Sequence, residues 1–100
     1  MKQKKLLFDW DKGNRTKNLK KHGVSIEEQE EVFYDEKGKR IDDSKHSSIA
    51  EKRFFWLGKT KIGKKIIVAF TVRDGKIRPI SSRKMNRREV SMYEEKTNIS

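Results

Sequence analysis

Two histidines and two arginines are the side chains in this sequence best suited to move a proton or to hold an anion. His22 precedes a glycine, whereas His46 lies in a polar segment beside Asp43. Histidine exchanges protons near neutral pH, and the planar guanidinium of arginine forms paired hydrogen bonds with phosphates and carboxylates. We therefore take His22, His46, Arg53 and Arg83 as the candidate catalytic residues.

Each of these four side chains also has a purely structural interpretation. His22 falls at the end of a predicted helix, where histidine often caps the last carbonyl groups. His46 could simply be solvated, and Arg53 could pair with Glu51. Arg83 could belong to a solvated helix start. The sequence leaves these alternatives open.

The sequence offers little support for a metal or a cofactor. It contains no cysteine, which removes disulfides, cysteine-ligated zinc and a thiol nucleophile. The two histidines lack the spacing of a helical His-x-x-x-His pair, and no glycine-rich phosphate loop precedes a helix. We expect neither a metal nor a cofactor. The N-terminus has no apolar run long enough for a signal peptide or a membrane span, so we expect a soluble, cytoplasmic protein.

Basic residues are concentrated in the second half of the chain. The whole sequence has 26 Lys and Arg against 15 Asp and Glu, a net charge of +11. Residues 1–50 hold 12 basic and 10 acidic residues (+2), and residues 51–100 hold 14 and 5 (+9). Such a concentration is typical of a polyanion-binding surface. No basic amphipathic helix favours a membrane instead. The candidate RNA-binding residues are Lys21, Trp56, Lys84, Arg87, Arg88 and Tyr93.

Histidine and arginine together suffice for metal-free RNA cleavage. The 2′-hydroxyl needs a proton acceptor, the phosphorane needs cations, and the leaving 5′-oxygen needs a proton. These residue types are therefore compatible with a metal-independent endoribonuclease. The alternative is a non-catalytic RNA- or DNA-binding module, ribosome-associated or regulatory. A helix–turn–helix is not supported for the DNA version, because the predicted second helix is acidic and unsuited to a groove.

Capping residues predict three helices. Asp11 can cap a helix that runs to about Lys21 and stops at a glycine. Ser25-Ile26-Glu27-Glu28 is a capping box, which starts a second helix over residues 26–33. Asn86 begins the third helix, with residues 97–100 expected to fray.

The remaining pattern predicts strands. Asp74-Gly75 is a hairpin signal, and Pro79 favours an edge strand or a bulge because proline cannot donate to a ladder. The strands are expected at residues 6–10, 39–42, 51–58, 66–72 and 76–82. This order predicts a single α+β domain over residues 1–100 with two layers.

Several short segments of this sequence, taken in their order along the chain, resemble the BrnT-like toxins. The matching segments are Phe8-Asp9-Trp10-Asp11, Lys21-His22-Gly23-Val24-Ser25, Glu51 with Arg53, Ile77-Arg78-Pro79-Ile80-Ser81-Ser82-Arg83, Arg88-Glu89 and Tyr93. Together with shorter matches between them, the resemblance covers about residues 8–93. Two departures stand out: Ser82 replaces a usual alanine, and Gln29 and Glu30 replace small apolar residues.

The resemblance implies a RelE-like fold with a short strand and two helices, an antiparallel meander and a C-terminal helix. It also implies a metal-independent ribonuclease toxin of a type II toxin–antitoxin system that inhibits translation. The implied partner is a BrnA-like antitoxin with a ribbon–helix–helix region. Operator DNA would then be bound only through that antitoxin.

Overall fold

An antiparallel sheet of four strands, with helices before and after it, forms the domain. The computed structural model describes residues 5–15 and 17–95, so the predicted fraying of residues 97–100 lies outside the described residues. The strands follow the order β1-β2-β3-β4 in the sheet. They are β1 (Lys39–Asp42), β2 (Arg53–Lys59), β3 (Lys65–Arg73) and β4 (Lys76–Lys84). The helices are α1 (Lys17–His22), α2 (Ile26–Val32) and α3 (Arg87–Glu94), with a turn of 3₁₀ helix at Ser44–His46. The predicted α+β class is confirmed.

The N-terminal segment differs from the prediction. The expected strand over residues 6–10 is wrong, since only Phe8 forms an isolated parallel bridge, to Ile77 at the edge of β4. The expected helix from Asp11 is also wrong at its start, because α1 begins only at Lys17. Asp11 instead accepts hydrogen bonds from the backbone N–H groups of Gly13 and Asn14, at 2.8 and 3.1 Å. Such local bonds favour a turn over a helix.

The hairpin between β3 and β4 follows the sequence signal closely. Asp74 and Gly75 both have positive φ, 51° and 75°, as a primed hairpin turn requires. β4 is an edge strand, and its ladder shifts register beside Pro79, opposite the Ala69–Phe70 step. The predicted edge position and the predicted bulge are both present.

One face of the sheet, here called the packed face, carries the main core. Phe54, Trp56 and Phe70 point to this face, and α2 covers it. Phe33, which ends α2, stacks on Trp56 at 5.5 Å between ring centroids and meets Phe70 edge-on at 5.1 Å. Aromatic rings bury large apolar areas, so this cluster compensates for the low apolar content. Gln29 does not prevent the packing of α2, since it is fully buried and donates to the Ser25 carbonyl.

The opposite face, here called the cleft face, is only partly covered. The side chains of Phe55, Leu57 and Ile67 alternate onto it. α3 covers one end, where Tyr93 packs on Leu57 and Ile67. Phe55 stays half-buried. In the described part of the chain, no helix is long and apolar enough to cross a membrane.

Candidate active site

His22 and Arg83 line one cavity on the cleft face. The cavity has a volume of about 250 Å³, and Phe55, Ile67 and Ala69 also line it. Arg83 pairs with Ile67 in the β3–β4 ladder, so its side chain emerges on this face. His22 arrives from the last turn of α1, and the following glycine has the positive φ, 68°, that ends a helix. The fold thus brings together two catalytic candidates that are 61 positions apart in the sequence.

Glu89 holds the guanidinium of Arg83 in place. Nη1 and Nη2 of Arg83 donate to the two carboxylate oxygens at 2.7 and 2.8 Å. The hydrogen bond from Arg83 lowers the pKa of Glu89, and the same bond raises the pKa of Arg83. Both side chains are therefore charged at neutral pH. A guanidinium carries more N–H groups than one carboxylate can accept, so Arg83 can still donate to a phosphate.

Glu89 was not among the sequence-predicted site residues. It is the third residue of α3 and completes a capping box, in which its carboxylate accepts from the Asn86 backbone at 2.9 Å. The Asn-x-x-Glu spacing was visible in the sequence and could have fixed this side chain at the start of α3. The second interaction of the Glu89 carboxylate, its ion pair with Arg83, depends on where β4 ends in the folded structure.

A neighbouring cavity of about 330 Å³ continues along the same face. Phe55, Ile67 and Arg83 line it as well, so the two cavities share part of their walls. Arg88 contributes a further cation from α3. Lys84 and Arg87 are exposed where β4 passes into α3. Arg83, Lys84, Arg87 and Arg88 therefore all lie around the junction of β4 and α3.

His46 lies elsewhere, at the end of β1. Its Nδ1 is 3.0 Å from a carboxylate oxygen of Asp43, and Asp43 is buried. A carboxylate at Nδ1 orients the imidazole, and the His46 side chain remains 57% exposed. The residues that line the His22–Arg83 cavity do not include His46.

Arg53 points onto the cleft face, as Phe55 does, because side chains alternate along β2. Its Nε is 3.7 Å from Glu51, so the structural alternative of pairing is also realised. Arg53 lines a different cavity from the one that contains Arg83, together with Thr71 and Arg73.

Three candidate RNA-binding residues do not line the two cavities described above. Trp56 is on the packed face, and its indole N–H donates to the Val32 carbonyl at 2.6 Å. Tyr93 is buried, and its hydroxyl donates to Asp35 at 2.5 Å. Burial and the Asp35 carboxylate raise the pKa of Tyr93, which keeps it a neutral donor. Trp56 and Tyr93 therefore act in packing here. Lys21 is exposed on α1.

No group of three or more His, Cys, Asp or Glu side chains converges as a metal site within residues 5–15 and 17–95. The polar residues that line the cavity are instead His22 with its imidazole, Arg83 with its guanidinium, and the two serines Ser81 and Ser82. These groups can transfer a proton and bind an anion.

Comparison with known proteins gives one positive result. A search of curated proteins finds no match. A family model described as "Ribonuclease toxin, BrnT, of type II toxin-antitoxin system" matches residues 10–89, which is most of the chain. The matched range includes both sides of the cavity, His22 and Arg83, as well as Glu89. The chain belongs to the BrnT family of ribonuclease toxins of type II toxin–antitoxin systems.

Proposed function

We propose that this chain is a metal-independent endoribonuclease that cleaves RNA in the His22–Arg83 cavity. Membership of the family supplies the class of activity, an RNA substrate and a cognate antitoxin. One observation supports this location of the cleavage site. The imidazole of His22 lines the same cavity on the cleft face as the guanidinium of Arg83, which Glu89 holds in place.

The proposed reaction uses the substrate's own 2′-hydroxyl as nucleophile. A phosphate seated on Arg83 has its developing negative charge neutralised by the guanidinium. The imidazole of His22 accepts the proton as the 2′-oxygen bonds to phosphorus. The bond from phosphorus to the 5′-oxygen then breaks, and that oxygen takes up a proton from solvent. The products are a 2′,3′-cyclic phosphate and a free 5′-hydroxyl.

The surroundings of the cavity suit a single-stranded substrate. The half-buried ring of Phe55 lines both neighbouring cavities and offers a surface on which a base can stack. Arg88, Lys84 and Arg87 provide cations for flanking phosphates, and the second half of the chain carries +9.

Cleavage of cellular RNA in the cytoplasm would inhibit translation, which is the toxic effect proposed here. A BrnA-like antitoxin with a ribbon–helix–helix region would neutralise the toxin by covering the cleft face, and only that antitoxin would contact operator DNA. Such a cover would bury Phe55 and exclude RNA at the same time. Complementary charge would speed the association, and this rate should fall as salt rises.

The decisive test is cleavage by the purified protein in the presence of EDTA. We expect single-stranded RNA to be cut into fragments that end in 2′,3′-cyclic phosphate. RNA carrying 2′-O-methyl groups should resist, because it lacks the nucleophile. Cleavage that stops in EDTA and returns with magnesium would overturn the metal-independent mechanism. Tight RNA binding without any cleavage would favour the non-catalytic binding module.

A further inference from the structure

A second cluster of cations occupies the cleft face beyond the Arg83 cavity. A separate cavity of about 270 Å³ is lined by Arg53, Arg73 and Arg78, together with Lys17 and Thr71. Their positions follow from strand register, since Arg53 and Arg78 both pair with Thr71 on opposite sides of β3. Three strands therefore present arginine on one patch of the sheet.

Glu51 bridges two of these arginines. Arg73 donates through Nε and Nη2 to one Glu51 oxygen, at 3.1 and 2.9 Å, and Nε of Arg53 lies 3.7 Å from the other oxygen. The hydrogen bond from Arg73 lowers the pKa of Glu51, which is therefore ionised at neutral pH. Two guanidinium groups thus share one carboxylate, so this part of the cluster keeps a net positive charge and spare N–H donors.

Arg78 has a different role in the same cavity. It contacts Asp11 at 2.6 Å and Asp9 at 3.5 Å, which fastens the N-terminal segment to β4. Two carboxylates offset its charge. The spare positive charge of the cavity therefore lies with Arg53, Arg73 and Lys17.

We propose that Arg53 and Arg73, braced by Glu51, form a second phosphate-binding subsite for the RNA backbone. This inference rests on the proposed function, because it extends the same substrate across the same face. Arg83 pairs with Ile67, and Arg53 pairs with Thr71, four residues further along β3. Four residues of a strand span about 13 Å, a distance that an extended single strand can cover within a few nucleotides. The substrate is therefore a single strand that runs along β3, with one phosphate at Arg83 and another at the Arg53–Arg73 pair.

The test measures binding separately from cleavage. The probe is a single-stranded 2′-O-methyl oligonucleotide, which cannot be cut by 2′-hydroxyl attack, and the full chain is titrated at several salt concentrations. The double variant Arg53→Gln/Arg73→Gln should bind about tenfold or more weakly at low salt, since charge-assisted hydrogen bonds are lost. The slope of log K against log salt should become shallower by about 0.7, the value for one phosphate contact on a single strand.

The matched control is Lys37→Gln/Lys61→Gln, which removes the same charge from exposed positions near the other end of β2. It should retain the affinity and slope of the parent protein. If the double variant of the arginines does not fold, Arg73→Gln alone provides the test, because Arg73 is half-exposed. An equal loss in the control and in the arginine variants would overturn the subsite.

Cleavage of unmodified RNA separates this proposal from the proposed function. With the subsite present, the arginine double variant should raise KM while kcat is nearly unchanged, as expected for lost uniform binding. Arginine-dependent binding of the probe by a chain that cuts no RNA would support the subsite and overturn the ribonuclease proposal. Unchanged KM and unchanged probe binding in the double variant would overturn the subsite alone.

Discussion

The two faces of the sheet differ in the surroundings of their aromatic side chains. On the packed face, Phe33 contacts three other aromatic rings, with centroid distances of 5.1–5.7 Å. On the cleft face, Phe55 stays half-buried and borders two cavities. Phe54 and Phe55 are neighbours in β2 and differ only in the face to which they point. The side-chain type therefore does not decide whether a residue is packed in the core or borders a cavity, whereas the alternation along the strand does.

The two faces also differ in the space that is left beside the backbone. On the packed face, a Cβ at Gly58 would lie 2.5 Å from the Val32 carbonyl oxygen, and one at Gly38 would lie 2.0 Å from the ring of Trp56. The packed face thus has no spare space at these points. The cleft face has cavities of 250 and 330 Å³.

The largest expected effect is on stability, from truncation on the packed face. Phe33→Ala should lower the free energy of unfolding by about 3–5 kcal/mol, because a buried ring is lost and a cavity remains. Thermal unfolding followed by circular dichroism measures this loss. The control is Phe55→Ala, which removes a half-exposed ring from the cleft face. Similar decreases in Tm for the two variants would contradict the division of roles between the faces.

The second effect is on catalysis, with folding intact. His22→Gln should reduce the cleavage rate about 100-fold or more, the usual contribution of a general base. His22 is exposed, so its Tm should match that of the parent protein. Lys20→Gln, an exposed position on the same helix, should keep full activity. Retention of the parent rate by the His22 variant would remove His22 from the mechanism and direct attention to the Asp43–His46 pair.

A smaller effect is expected when the phosphate-binding cation is removed. Arg83→Ala should slow cleavage about tenfold or more, since a charge-assisted contact contributes about 1.5–3 kcal/mol. The Arg83 side chain is 45% exposed, and Glu89 keeps its hydrogen bond from the Asn86 backbone, so Tm should change little. Arg15→Ala removes an exposed arginine before α1 and serves as the control. Equal rates for the two variants would argue against a phosphate at Arg83.

The smallest effect is an acid dependence of stability that comes from Asp35, which follows α2 and accepts a hydrogen bond from Tyr93 of α3. Burial by itself raises the pKa of Asp35, but hydrogen bonds from Tyr93 and from the backbone of Lys37 and Lys59 lower it below 3.8 overall. A depressed folded-state pKa gives stability that is present above the unfolded value and is lost as pH falls below it. Tm should therefore be flat near neutral pH and fall below about pH 4.

Replacement of this carboxyl tests the assignment. Asp35→Asn should make the decline of Tm at acid pH less steep, because the group that titrates has been removed. Asp74→Asn changes an exposed carboxyl in the β3–β4 turn and should leave the decline as it is. An unchanged acid profile in the Asp35 variant would show that other carboxyl groups dominate.

The sequence predicted well wherever a local signal determines the structure. The capping box at Ser25, the helix start at Asn86 and the turn at Asp74-Gly75 all lie where expected. These signals work because their hydrogen bonds and φ angles involve residues only a few positions apart. The start of the first helix was predicted wrongly because the Asp11 side chain can either cap a helix or stabilise a turn. In the structure, it accepts the backbone hydrogen bonds of a turn.

The functional assignment could be read partly from the sequence. The charge of +9 on the second half and the ordered resemblance indicated a basic ribonuclease toxin, and the family match confirms the family. Trp56 shows the limit of this approach. An aromatic residue in a basic segment suggested RNA contact, yet its ring lies against Phe33 on the packed face, because the register of β2 decides which of its neighbours points to the cleft.

By itself, the sequence determined the α+β class, the places where most elements begin and end, and the net charge that draws the protein to a polyanion. Only the tertiary structure decided that His22 and Arg83 share a cavity, that Glu89 fixes Arg83, and that Arg53 joins Arg73 through Glu51. The physical reason is distance along the chain. Capping and turns depend on neighbouring residues, and the net charge is a sum over the sequence. The long-range arrangements depend instead on strand register and on the packing of α1 beside β4.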